Sequence, residues 1–117
     1  MARHVLEDAG LGCHVRDYNQ RSVALCKAAI APGHWVAGSI STYAANSDRS
    51  KLPGGKKLRQ NYREQTEILA EAGVDMFVLE MLFDVETTLI MAEAAANIGL
   101  PILMILATAR VKASMRS

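Results

Sequence analysis

One carboxylate in this sequence lies where parallel α/β proteins place ligand-binding groups. The segment GVDMFVLEMLFD, residues 73–84, is a run of large apolar residues with Glu80 near its end. This pattern predicts a buried strand, and ligands bind beyond the carboxyl ends of parallel strands. A carboxylate there could hold a substrate ammonium group or act as a base. The alternative is a structural acid that pairs with a neighbouring Lys or Arg or caps a helix. Since an unpaired buried carboxylate is costly, either interpretation requires a partner.

Small residues end a second β-rich run. The segment HWVAGSI, residues 34–40, predicts a short buried strand. If the two strands are parallel, Gly38 and Ser39 lie at the same edge of the sheet as Glu80. Ala107 and Thr108 end a third apolar run and would lie at that edge too. The sequence therefore predicts a site formed by the ends of neighbouring strands.

The remaining candidates for chemistry are weaker. Cys13 and Cys26 do not form a CxxC pair, and we interpret Cys26 as a buried helix residue and Cys13 as a loop residue. This cysteine usage fits a reducing cytosol. His4, His14 and His34 lack metal-binding spacing, so they are expected on the surface or in loops. The spacing of these residues predicts no metal ligand.

Helices and strands alternate along the chain. Apolar residues recur at spacings of three and four within the predicted helices, and β-rich runs separate them. In the helix predicted at 56–72, the predicted inner stripe contains Leu58, Tyr62, Gln65, Leu69 and Ala72. Asp84 is expected to cap the last helix and Gly73 to end the one before it. Three helices are predicted at 3–9, 56–72 and 84–97, and a fourth ends before the stop signal at 31–33. The predicted strands are 34–40, 74–82 and 100–108. Residues 41–55 are a predicted loop, and residues 109–117 form a tail without a clear pattern.

This order predicts an α/β protein with a parallel βαβαβ arrangement. Two architectures remain: an open doubly wound sheet, or part of an eight-stranded barrel. No GxGxxG motif follows a predicted strand, which disfavours a dinucleotide-binding fold. A complete barrel takes about 250 residues, whereas this chain has 117. The barrel interpretation therefore means an incomplete barrel.

Composition excludes several classes of function. Half of the residues are hydrophobic, 21% are charged and the net charge is +1. This balance is that of a globular domain and predicts no nucleic-acid partner. No apolar run is long enough to span a bilayer, and the first residues lack the apolar core of a secretory signal. We therefore expect a cytoplasmic protein without a membrane partner.

The segments around these elements resemble the homocysteine S-methyltransferase family. This is the homocysteine-binding barrel shared with betaine–homocysteine methyltransferase and the N-terminal module of cobalamin-dependent methionine synthase. The resemblance is carried by VAGSISTYAA at 36–45, by YREQTEILAEAGVDMFVLEMLFDVETTLIMAEAAANIGLPILMIL at 62–106, and by RHVLEDAGLG and YNQRSVALCKAA at 3–12 and 18–29. These segments occur in the family's order and spacing.

The resemblance implies a fold and a site. Residues 1–117 would be a partial homocysteine-binding domain that contains about strands 3 to 5 of a (βα)8 TIM barrel. Glu80 would bind the amino group of homocysteine. Gly38 and Ser39 would line the same pocket, where their small size lets a ligand approach the backbone. Tyr43, in the predicted loop after that strand, is a weaker candidate for the same site. The implied partners are homocysteine and a methyl donor.

The family also uses zinc, which activates the homocysteine thiol. Three cysteine thiolates hold it, one after the sixth strand and an adjacent pair after the eighth. Cys13 and Cys26 match neither position. Zinc is therefore expected for full-length family members, but its ligands are missing from this chain, and the chain alone is expected to be inactive.

Two hypotheses from other classes remain. The chain could be a non-enzymatic α/β module derived from that family, which binds a partner or self-associates through uncovered barrel edges. It could also be an unrelated α/β enzyme that uses Glu80 as a general base, but the sequence offers no second residue for proton transfer.

Overall fold

The computed structural model describes residues 1–41, 53–82 and 84–106. The predicted tail at 109–117, most of the predicted loop, Tyr43 and Thr108 lie outside these ranges. The helices are α1 (Arg3–Asp8), α2 (Val15–Ala29), α3 (Gly55–Ala72) and α4 (Val85–Ala96), with a 3₁₀ turn at Gly12–His14; the strands are β1 (Ala37–Ser41), β2 (Met76–Leu82) and β3 (Ile102–Leu106).

The three strands form one parallel sheet in chain order, β1-β2-β3. The predicted parallel α/β arrangement is therefore confirmed. Strand β1 begins at Ala37, later than the predicted His34. Val36 is already held by Asp75, whose Oδ2 accepts from the Val36 N–H at 2.8 Å and whose N–H donates to the Val36 carbonyl at 2.8 Å. This pair closes the amino-terminal end of the sheet.

The helices pack on one face of the sheet. Ile40, Phe77 and Leu79 are buried in a core that also contains Leu69 of α3 and Met91 of α4. Because side chains alternate along a strand, the residues between them lie on the opposite face. That opposite face, which we call the open face, carries Ala37, Ser39 and Ser41 of β1 and Met76, Val78 and Glu80 of β2, all exposed or half-buried.

Local signals in the sequence explain where α3 ends and where α4 begins. Helix α3 ends at Gly73, which adopts φ +97°, a left-handed conformation that favours glycine. Asp84 caps α4, since its Oδ1 accepts from the Thr87 N–H at 2.8 Å. Both predicted caps are confirmed. None of the described helices has the length and apolarity needed for a bilayer span.

Two predictions about the amino-terminal helices are wrong. Cys26 is exposed on α2, because only one side of α2 is buried and that side carries Val15, Asn19 and Val23. His4 is buried rather than on the surface, with only 7% of its area exposed. Its helix is held against α3 by Arg3, whose guanidinium donates to both carboxylate oxygens of Glu64 at 2.8 and 2.9 Å.

Candidate functional site

Glu80 lies near the carboxyl end of the central strand β2. Its side chain is half-buried on the open face, away from the helices. It is paired in register with Ser41 of β1. A carboxylate in this position is available to a ligand that approaches the open face.

A local irregularity in β2 surrounds Glu80. Leu79 pairs with Met104 and Leu82 pairs with Leu106, so β2 advances three residues while β3 advances two. The extra residue is a β-bulge, a feature that redirects side chains and is common beside binding sites. It also returns Leu82 to the buried side after Glu80. The bulge therefore interrupts the regular pairing of β2 with β3 beside Glu80.

Within the described part of the chain, Ser39 is the hydrogen-bond partner of the Glu80 carboxylate. The Ser39 hydroxyl donates to Glu80 Oε1 at 3.1 Å. A serine can hold a carboxylate in place without neutralising its charge, unlike the Lys or Arg of the structural alternative. The predicted site residues Ser39 and Glu80 are thus brought together by the sheet.

Two side chains of α3 support the end of β1 from the helix side. Gln65 Nε2 donates to the Ser39 carbonyl at 3.3 Å, and the Tyr62 hydroxyl donates to the Ser41 carbonyl at 3.0 Å. Both side chains are buried, with 2% and 0% of their area exposed. Sequence reasoning placed both on the inner face of α3 but assigned neither to the site. The signal that could have identified Gln65 is a glutamine within the apolar stripe of α3.

Gly38 lies within β1, and it faces the helices. A β-carbon at this position would be 3.2 Å from Leu69 Cδ1 and 3.2 Å from Phe77 Cδ1. Gly38 thus allows α3 to pack closely on the sheet. Gly38 is therefore on the buried side of β1, whereas Ser39 is on the open face.

Among the residues that the structure describes, no group of three or more His, Cys, Asp and Glu side chains could hold a metal ion. Cys13 lies on the 3₁₀ turn and Cys26 on α2, and both are exposed and unpaired with each other. The arrangement on the open face, one carboxylate held by a hydroxyl, suits a cationic group instead.

Comparison with known proteins supports the resemblance found in the sequence. The family model described as homocysteine S-methyltransferase matches residues 1–117. A search of curated proteins gave no match. The match covers every described element, including the strands that carry Ser39 and Glu80. The chain therefore belongs to the homocysteine S-methyltransferase family.

Proposed function

We propose that this chain forms the part of a homocysteine S-methyltransferase that binds the amino end of homocysteine, with Glu80 as the residue that holds the ammonium group. The observation that carries the proposal is the position of Glu80, at the bulged carboxyl end of the central strand and hydrogen-bonded by Ser39 at 3.1 Å. Members of the family transfer a methyl group to homocysteine.

We also propose that β1, β2 and β3 correspond to about strands 3 to 5 of a (βα)8 barrel. The strands follow each other in chain order and the described helices pack on one face. A doubly wound sheet reverses its strand order and places helices on both faces, whereas a barrel does neither. In a barrel the open face would become the interior, and Glu80 would lie near its mouth.

In this proposal Glu80 is a binding residue. The methyl group passes from a donor to the homocysteine sulfur, at the other end of the substrate from the ammonium group. The carboxylate orients the substrate by a charge-assisted hydrogen bond, and Ser39 fixes the carboxylate in turn. Gly38 supports the site indirectly, because the lack of a side chain there lets Leu69 of α3 pack closely on β1.

The substitution Glu80→Gln should weaken homocysteine binding by about tenfold or more, because a neutral amide loses the charge-assisted bond to the ammonium group. Isothermal titration calorimetry of the purified chain with L-homocysteine measures this directly. Glu93→Gln is the matched control, since Glu93 is an exposed carboxylate on α4 that lies 4.0 Å from Arg59. Equal affinity of the wild type and Glu80→Gln would contradict the assignment of Glu80.

Methyl transfer by the purified chain alone is expected to be undetectable. A zinc site of three thiolates needs three cysteines, and this chain has two, on separate elements. Methionine formation can be followed by mass spectrometry with homocysteine, added zinc and S-methylmethionine, S-adenosylmethionine, betaine or a methyl-folate as donor. Zinc-dependent turnover with any of these donors would refute the proposal that the chain is inactive alone.

A further inference from the structure

We propose that Gln65 of α3 is a positioning residue for homocysteine, which sets the affinity for the ammonium group by fixing Ser39 and, through Ser39, the Glu80 carboxylate. This role rests on the function proposed above. Gln65 Nε2 donates to the Ser39 carbonyl at 3.3 Å, and the Ser39 hydroxyl donates to Glu80 Oε1 at 3.1 Å. Gln65 lies in the helix layer with 2% of its area exposed, so it acts on the substrate only through Ser39.

The residue type at position 65 is unusual for its surroundings. Tyr62 and Leu69, which flank Gln65 on the inner face of α3, are both buried in the core. Glutamine loses hydration and side-chain freedom on burial, and most glutamines lie on the surface. The hydrogen bond to the Ser39 carbonyl offsets part of that loss. Contact with β1, rather than packing, therefore explains why a glutamine lies here.

The contact between Ser39 and Glu80 is diagonal across the two strands. The register pairs Ser39 with Val78 and pairs Glu80 with Ser41. Diagonal neighbours on one face of a sheet are further apart than directly opposite ones. The Ser39 hydroxyl therefore reaches the carboxylate from only some backbone positions and rotamers. A small displacement of the Ser39 backbone lengthens this hydrogen bond and releases the carboxylate.

Two features near this contact make an external support for Ser39 useful. Gly38 precedes Ser39, and a glycine within a strand weakens the strand because it adds backbone freedom and has no side chain to pack. On the other side of Glu80, the bulge interrupts the pairing of β2 with β3. The hydrogen bond from Gln65 fixes β1 at the point where the glycine and the bulge constrain the site least.

Helix α3 holds β1 at two points. Tyr62, three positions before Gln65, donates to the Ser41 carbonyl at 3.0 Å, so two side chains on one face of the helix hold alternate carbonyls of the strand. Among the described contacts of these two serines, the hydroxyl that binds Glu80 belongs to Ser39. Gln65 is therefore the residue of α3 that is connected to the carboxylate through a single intervening residue.

Replacement of Gln65 by methionine removes the donor and keeps an unbranched, adaptable side chain. We expect Gln65→Met to weaken L-homocysteine binding about fivefold in isothermal titration calorimetry, the equivalent of one neutral hydrogen bond. Thr66→Val is the matched control, since Thr66 is buried on the same helix and its hydroxyl donates to the Arg63 carbonyl at 2.9 Å instead of to the sheet. The affinity of Thr66→Val should equal that of the wild type.

A double-mutant cycle with Ser39→Ala separates positioning from a general loss of structure. If Gln65 acts through the Ser39 hydroxyl, Gln65→Met should have no further effect on affinity in the Ser39→Ala background. A merely structural role would lower the stability in both backgrounds and would change the affinity equally in both or in neither. Urea unfolding of each variant establishes that the protein is folded under the conditions of the titration.

The wild type provides a measurement that does not depend on the folding of any variant. Because hydrogen bonds in a chain polarise one another, homocysteine bound at Glu80 should shift the side-chain amide resonances of Gln65 in proton–nitrogen correlation NMR spectra. This shift should follow the same titration curve as the calorimetric binding. The side-chain amide of Gln60, which is exposed on α3, should keep its resonances.

The outcomes distinguish this role of Gln65 from the role of Glu80. Wild-type affinity in folded Gln65→Met, or an equal loss with and without the Ser39 hydroxyl, would overturn the positioning role and leave the assignment of Glu80 intact. Unchanged Gln65 resonances at saturating homocysteine would do the same. Wild-type affinity in Glu80→Gln would instead overturn the proposed function and the positioning role together.

Discussion

Replacing Tyr62 by alanine should lower the free energy of unfolding by about 3–5 kcal/mol, the usual cost of truncating a buried aromatic side chain. Tyr62 is fully buried where α1, α3 and the sheet meet. Its ring contacts the His4 ring edge to face, with the centroids 5.3 Å apart. Urea unfolding followed by circular dichroism measures the loss. Because small domains are stable by only about 5–15 kcal/mol, this loss is a large fraction of the total stability.

The variant Tyr62→Phe separates packing from hydrogen bonding. It keeps the ring and removes only the hydroxyl that donates to the Ser41 carbonyl at 3.0 Å. A neutral hydrogen bond contributes about 1 kcal/mol, so the loss should be near that value. Burial, and then the nearby Asp84 carboxylate, raise the pKa of Tyr62, so the hydroxyl stays protonated and keeps donating. If Tyr62→Phe lost as much unfolding free energy as Tyr62→Ala, the stabilisation by Tyr62 would come mainly from its hydroxyl and not from its ring.

The chain should also lose about 2–3 kcal/mol of stability between pH 6.5 and pH 4 through His4 alone. Burial lowers the pKa of His4 from 6.5 to about 4; Glu7 opposes this shift and Lys57 adds to it. The unfolded chain therefore binds a proton at this histidine at a higher pH than the folded chain does. The contribution is complete above pH 6.5, falls as the pH drops toward 4, and is constant below that.

Urea unfolding of the wild type and His4→Phe at a series of pH values isolates this contribution, since phenylalanine keeps a ring beside Tyr62 but cannot titrate. The difference in unfolding free energy between the two proteins should change by the stated amount from pH 7 to pH 4. His14→Gln is the matched control, because the His14 ring stacks on Tyr18 outside the core at a centroid distance of 4.9 Å. Parallel pH profiles for the wild type and His4→Phe would contradict the prediction.

Local signals were enough to predict the elements that carry the site. The stripe that contains Leu58, Tyr62 and Leu69 predicts the inner face of α3, and all three residues are buried. The left-handed turn at Gly73 and the Asp84 cap act within a few residues of their own positions. Such signals can be read from sequence because their physical causes, backbone conformation and unsatisfied helix-end groups, are local.

The contacts of the site depend on residues far apart in the chain. Ser39 and Glu80 are 41 positions apart, and only the β1–β2 register brings them together. The bulge after Leu79 decides how β2 continues beyond Glu80, and no residue type at that point predicts it. Register is set by the packing of whole faces, which is why the partner of Glu80 was required by the sequence but not identified from it.

By itself, the sequence determined the alternation of helices and strands, the caps, the family, and a carboxylate at the end of the central strand, because each of these rests on short-range pattern or on ordered motifs. Only the tertiary structure decided which side chain holds that carboxylate, that His4 is buried, and that Cys26 is exposed on α2. Burial depends on what packs against a residue, and those neighbours come from elements that the chain brings together only on folding.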